Sequence, residues 1–258
     1  MKKNSFGFLT SLLVLILLLA VIVTFAGCLN NTTVNDSNQS KIGEDSLSNQ
    51  GNDSLPYQGP ASLLYQGHAS LRITTSEGKV IYIDPYVGTG YDVPADMILI
   101  THAHTDHNAI KLIETQNPGC VIITNEEALV NGEHKVFEYG FVTVEAVEAG
   151  NNPNHNINAC VGYILTLSDG KTIYVSGDTS KTDQMTTFSE RNLDYAFFCC
   201  DGRFNMDVEE AIECANLVQA KHSIPYHTFP GGLFDRERAE LFDAEGRLIL
   251  ANGEEIEL

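Results

Sequence analysis

Apolar residues are distributed along this chain in three regimes. From residue 5 to 26 they are almost continuous, with a Leu-rich stretch at 12–23. From 29 to 56 they nearly vanish and Asn, Ser, Asp and Gly take over. From Tyr57 onward, short apolar runs alternate with Gly, Asn, Asp and Pro clusters, the pattern of a folded domain. Within that domain, residues 62–65, 70–74 and 79–84 read as strands, broken at Gly67-His68 and Ser76-Glu77-Gly78. Residues 95–101 read as a buried strand. Residues 110–115 have helical spacing, stopped by Asn117-Pro118-Gly119. A strand at 121–124, a helical turn at 126–130 and a strand at 141–147 follow. Residues 161–167 and 171–176 form a hairpin through Ser168-Asp169-Gly170. A helix is predicted at 183–191 and an apolar strand at 195–200. Asp207 can cap a helix reaching about residue 220, with Glu210 at the capping-box position. Residues 221–226 are strand-like, 234–244 an amphipathic helix, and 247–250 and 254–258 short strands. This order predicts an α+β domain of two sheets with helices outside.

The other two regimes change the picture at the N-terminus. Met1-Lys2-Lys3-Asn4 followed by the long apolar run is a secretory signal or a membrane anchor over residues 1–27. The run ends in Phe25-Ala26-Gly27-Cys28, which resembles the lipobox of prokaryotic lipoproteins and implies cleavage before Cys28 and a lipid on its sulfur. Residues 28–56 read as a flexible polar linker, and 57–258 as the folded domain. A membrane-tethered protein outside the cytoplasm is the expectation, with an uncleaved transmembrane anchor as the alternative. Oligomeric state is not readable.

Charge and cysteines narrow the chemistry. The 258 residues carry a formal charge of −19, which argues against nucleic acid as a partner, since tracking a phosphate backbone needs clustered Lys and Arg. Small anionic substrates stay open, because bound divalent cations would reverse the local sign. Beyond Cys28, Cys120, Cys160, Cys199, Cys200 and Cys214 are odd in number and without CxxC spacing. They form neither a disulfide framework nor a structural zinc site; a single Cys160–Cys199 bridge stays open.

The chemistry gathers after the strand at 95–101. It ends in His102, His104, Asp106 and His107, three imidazoles and a carboxylate within six residues. These ligand types suit Zn²⁺, Fe²⁺ or Mn²⁺. In extended chain His102 and His104 point the same way, while a turn at Thr105 swings Asp106 and His107 elsewhere. Three further candidates follow strands or lie in loops: His155 in an Asn-rich loop, Asp178 after 171–176, and His227 after 221–226. Seven such ligands can fill two sites sharing a carboxylate, and a water in an open position would have its pKa lowered toward about 7.

His102-x-His104-x-Asp106-His107, then His155, Asp178 and His227 in that order, resemble the metallo-β-lactamase superfamily. The resemblance implies a four-layer αββα sandwich with a dinuclear site along one edge. It assigns His102, His104 and His155 to one metal and Asp106, His107 and His227 to the other, with Asp178 bridging. Gly67-His68-Ala69-Ser70, Tyr82-Ile83-Asp84-Pro85, Ser176-Gly177-Asp178-Thr179 and Asp201-Gly202-x-x-Asn205-Met206 are similar to the branch containing L-ascorbate-6-phosphate lactonase.

The expected function is hydrolysis of a lactone, ester or phosphodiester in a small-molecule substrate, by a hydroxide bridging two divalent metal ions. Zinc is the expected metal, with iron or manganese as alternatives. Asp106 is the candidate catalytic residue, suited by type to hold or relay the hydroxide's proton. His68, Asp84 and Asp201 are candidates for substrate contact or for orienting ligands. Loops at 86–94, 151–159 and 229–234 are expected to set specificity. A non-catalytic tethered protein that holds a small anionic ligand through its metal is the competing reading; an iron oxidoreductase on the same ligands is a third.

Overall fold

The computed structural model describes residue 57 and residues 59–258. The signal or anchor at 1–27, Cys28 and the linker at 28–56 lie outside the described residues. No helix among the described residues is long and apolar enough to cross a membrane.

Among the described residues, fourteen strands and three short α-helices follow in chain order. The first group is β1 (Ser62–Gly67), β2 (Ser70–Thr74), β3 (Val80–Ile83), β4 (Ala95–Leu99) and β5 (Gln116–Ile123). Helix α1 (Asn125–Ala128) leads into a small hairpin of β6 (Leu129–Val130) and β7 (Glu133–His134). The second group is β8 (Val136–Tyr139), β9 (Val142–Glu148), β10 (Val161–Leu167), β11 (Thr172–Val175), β12 (Tyr195–Cys199), α2 (Val208–Val218) and β13 (His222–Tyr226). Then come α3 (Arg236–Leu241) and β14 (Glu254–Glu257). The chain forms two six-stranded sheets, ordered β14-β1-β2-β3-β4-β5 and β13-β12-β11-β10-β9-β8.

Alternation along the strands builds the core. Ile81, Ile83, Met97 and Leu99 of the first sheet share one cluster with Val144, Tyr163, Leu165 and Val175 of the second. Val80, Tyr82 and Ile98 face the other way, into a smaller cluster with Tyr91 and Ile113. β4 is thus buried on both faces and paired in parallel on both sides, which is why its sequence is an unbroken apolar run. In α2, Val208, Ala211, Ala215 and Val218 form the buried stripe, joined by Cys214.

Several elements depart from the sequence expectation, each for a local reason. Residues 110–115 give only a 3₁₀ turn at Ile110–Leu112, because Glu114 N bonds to Tyr91 O and Ala95 N to Thr115 O, drawing the chain into the sheet margin. β5 then runs through Asn117-Pro118-Gly119 as a register irregularity on an edge strand, where a proline lacking its N–H is tolerated. The predicted helix at 234–244 shrinks to α3. Phe234 is taken by an edge contact with the Tyr65 ring, Asp235 caps the helix through Arg238 N, and Phe242 leaves it to stack on Phe198. Gln184–Arg191 is 3₁₀ rather than α-helical, with no side-chain cap. Asp207 caps α2 by accepting from Glu210 N, but Glu210 does not reciprocate; its carboxylate accepts from Lys181 N instead. Residues 247–250 form no strand, only a bridge between Arg247 and Ser223. β8 was not foreseen; its Val136, Phe137, Glu138 and Tyr139 lie on an edge strand and are exposed or only half-buried. Cys120, Cys160, Cys199, Cys200 and Cys214 are all free, so the Cys160–Cys199 bridge is absent.

Candidate metal centre

Parallel pairing collects the functional side chains. β3 and β4 run parallel in the first sheet, as do β11, β12 and β13 in the second. Their C-terminal ends carry Asp84, the His102–His107 loop, Asp178, Asp201 and His227. The loop between β9 and β10 brings His155, and the β1–β2 turn brings His68. The loop after β4 closes on itself through His107 N to His104 O. The 151–159 loop is pinned by His155 N to Asn152 Oδ1, 2.9 Å, and by reciprocal backbone bonds between the same two residues.

The donors converge as overlapping groups. Ligand atoms of His102, His104 and His155 lie within 4.8 Å of one another, and so do those of His68, Asp106, His107 and His227. Asp178 stands between them. Its Oδ1 is 3.3 Å from His107 Nε2, and its Oδ2 is 3.3 Å from His155 Nε2 and 3.4 Å from His227 Nε2. His102, His107, His155, Asp178 and His227 are buried, His104 is exposed and Asp106 is in between.

Asp84 fixes the first-sheet half. Its carboxylate accepts from Thr101 N at 2.8 Å, Thr101 Oγ1 at 2.6 Å and His107 Nδ1 at 2.8 Å. With its proton given to Asp84, Thr101 Oγ1 is left to accept from His102 Nδ1, 3.0 Å away. Both imidazoles therefore donate through Nδ1 and turn Nε2 into the centre. Those Nε2 atoms are buried with no hydrogen-bond partner, as is Nε2 of His227. Orphaned buried nitrogens are costly unless something accepts the lone pair, and a divalent cation does so. Among the described residues, the donor set fits such a cation.

Three of these residues hold a strained backbone. His68, Asp84 and His227 have φ of 55°, 45° and 46°, in the left-handed region. His227 N donates to His68 O at 2.8 Å, tying two of them together. Gly177, just before Asp178, also has positive φ, and a Cβ there would stand 2.8 Å from Val161 O, so only glycine delivers Asp178 to its place.

Electrostatics favour metal-ready ligands on one side and shared protons on the other. Burial pushes His102 down to about 2 and also lowers His155, leaving them neutral. Burial alone would lower His107 and His227, but Asp178 outweighs it and raises both, with Asp84 adding to the effect at His107. Burial would raise Asp178, but His227 and His107 hold it well below the usual carboxylate range. A metal-free centre thus keeps protons where a cation would otherwise balance the charge.

Comparison with known proteins settles the family. Residues 62–227 match the Beta-lactamase superfamily domain. A UPF0173 metal-dependent hydrolase from a Geobacillus species is 33% identical over 214 residues, covering 71% of this chain and 94% of the relative. The chain belongs to the UPF0173 metal-dependent hydrolases of the metallo-β-lactamase superfamily. A crystal structure of a metal-dependent hydrolase from Parabacteroides distasonis aligns with TM-score 0.59 and 28% identity, covering 72% of this chain and 90% of that one. A metallo hydrolase from Ignicoccus hospitalis shares the fold at TM-score 0.60 and 21% identity, over 77% of this chain and 98% of that one.

The hydrolase's metal centre opens on a cavity of about 360 Å³ lined by His104, Asp106, Asn154, His155, Asp178, Phe204, His227 and Gly231. Of the loops expected to set specificity, 151–159 and 229–234 reach it. The 86–94 loop does not line it: Tyr91 covers the outer face of the first sheet, and only Tyr86 approaches, edge-on to His68. Phe204 was not foreseen. It is placed by Asp201, whose Oδ1 accepts from Arg203 N and Phe204 N and whose Oδ2 accepts from Asn205 Nδ2. Asp201 Oδ2 also stands 3.4 Å from His227 Nδ1. Asn154 Nδ2 donates to Phe204 O, linking the two loops, and the Arg203 guanidinium lies over the Phe204 ring at 4.9 Å. The only sequence signal was an aromatic residue in a loop after an Asp-Gly pair.

Proposed function

We propose that this hydrolase uses two divalent metal ions, with zinc favoured by the imidazole-rich donor set, to cleave a lactone, ester or phosphodiester in a small molecule. The observation carrying this is Asp178, whose two oxygens reach His155 on one side and His107 and His227 on the other at 3.3–3.4 Å. His102, His104 and His155 would hold one ion, and Asp106, His107 and His227 the other. Bound there, divalent cations supply hydroxide at neutral pH and polarise the scissile oxygen.

The chain's own groups do the rest. Asp84 and Thr101 orient His107 and His102. Asp106 lines the cavity with its side chain 34% exposed. It is the group able to take a proton from an attacking water. Phe204, with Arg203 over it, offers an apolar wall beside a positive charge, suited to a substrate carrying an acyl or aryl part next to an anionic group. The cavity volume matches a small molecule. The lactonase-like motifs keep cyclic esters among the candidates.

The test is a panel of lactones, aryl esters, phosphodiesters and β-lactams, run with metal-stripped and metal-restored protein. Metal-dependent turnover of one class is the expected result. Inactivity throughout, with tight retention of one metabolite, would favour a binding protein. The same proposal extends to location: a lipid on Cys28 would tether the domain outside the cytoplasm. Cys28→Ala should then abolish incorporation of labelled palmitate; unchanged incorporation would refute it.

A further inference from the structure

We propose that His68 is a ligand of the second metal position, joining Asp106, His107 and His227 through its Nε2. This rests on the two-metal reading above and adds a donor that the superfamily resemblance does not assign.

The argument begins with the proton. His68 Nδ1 lies 3.0 Å from Gly232 O. A carbonyl only accepts, so Nδ1 carries the hydrogen and the neutral ring presents a lone pair on Nε2. That lone pair faces Asp106 Oδ2 at 3.4 Å. A carboxylate facing that nitrogen needs a positive charge between them, either a second proton or a metal ion.

Spacing points the same way. Two donors on one tetrahedral zinc, each about 2.0–2.1 Å from it, stand about 3.3–3.4 Å apart. The His68–Asp106 separation matches that, as do the three contacts of Asp178 with histidine at 3.3–3.4 Å. Of the imidazole–carboxylate pairs made through Nδ1, His107 with Asp84 is shorter at 2.8 Å, and His227 with Asp201 stands at 3.4 Å.

The scaffold is built to aim this ring. His68 is fully buried, and its own carbonyl is held by His227 N at 2.8 Å and Tyr65 OH at 2.9 Å. Its ring centroid is 3.7 Å from that of His227 and 5.2 Å from that of Tyr86. A histidine occupies a left-handed position that suits glycine or asparagine better, as happens where function requires the side chain. The second position then has its own carboxylate and three imidazoles, against three imidazoles, one of them exposed, at the first. The larger donor set makes the second ion the more tightly held one.

The experiment compares wild type with His68→Asn, a residue that accepts the left-handed backbone. Zinc is titrated against a chelator, with metal content by mass spectrometry and melting temperature alongside. Wild type should bind two equivalents, and His68→Asn should keep one while its other binds at least about tenfold more weakly. Equal affinity for both equivalents overturns the assignment. A wild type that takes up only one equivalent overturns the two-metal reading itself. A crystal structure of zinc-loaded wild type gives an answer independent of the variant's folding. Nε2 of His68 at about 2.0–2.1 Å from an ion supports the proposal; Nε2 hydrogen-bonded to Asp106 with no ion in reach overturns it.

Discussion

One loop after β4 supplies His102, His104, Asp106 and His107 from six consecutive residues, and Asp84 at the end of the neighbouring strand braces two of them. Across the centre, the second sheet supplies His155, Asp178 and His227 singly, from three separate connections. The first half is positioned by local hydrogen bonds. The second is positioned by strand register, because β11 and β13 must end level with β12 for Asp178 and His227 to meet. A local device tolerates distant change and fails when a single brace is removed. A register device depends on the sheet as a whole.

The sharpest way to break that contrast is at the residue joining the halves. Asp178→Ala should remove metal and activity together, lowering kcat/KM by about a thousandfold or more. A variant that keeps both ions by mass spectrometry would show that the halves do not depend on it. Next in size is the brace. Asp84→Asn leaves the fold but weakens the hydrogen bonds to His107 and Thr101, and metal affinity should fall about 10–100-fold in a chelator titration. Unchanged affinity would mean that the loop holds its own shape. Smaller again is Phe204→Ala, which trims the cavity wall away from the metal ligands. KM should rise about 3–10-fold with kcat nearly constant, as expected when binding shared by ground and transition states is lost. A fall in kcat alone would move Phe204 into the chemistry.

The smallest effect concerns the sheets rather than the reaction. Cys120 lies on the edge strand of the first sheet and is half-buried. Cys160, Cys199, Cys200 and Cys214 are buried, and burial pushes the thiols of Cys160, Cys200 and Cys214 up to about 12. Above the ordinary thiol range they stay protonated at pH 8, and only near the raised value would the folded protein present thiolate. Labelling with a thiol reagent at pH 8 should therefore modify Cys120 ahead of Cys160, Cys199, Cys200 and Cys214, which react only as the protein unfolds. Early labelling of the four would show the second sheet opening independently.

The same contrast explains what could be read beforehand. The His102–His107 cluster was legible because its donors are consecutive and follow an apolar strand. Asp178 and His227 were legible as ligand types at strand exits, but their meeting is a product of parallel pairing that spacing does not encode. The hairpin of β10 and β11 was marked by Ser168-Asp169-Gly170. Residues 110–115 and 234–244 misled because helical spacing of apolar residues also arises when loop residues are drawn singly into different parts of the core, as Phe234 and Phe242 are. Phe204 was invisible because its position depends on Asp201 accepting two backbone N–H groups. His68 stood in a turn whose strained conformation only coordinates reveal.

That conformation, shared by His68, Asp84 and His227, sets folding against chemistry at three points. Each left-handed residue costs about 1–2 kcal/mol that glycine would not. A duplicate of this chain released from the need to turn over substrate would be free to drift at these positions toward glycine or asparagine, easing its backbone while its catalytic ability decayed. Descendants that keep the sandwich but carry those residues at the three sites would be recognisable as retired enzymes from sequence alone.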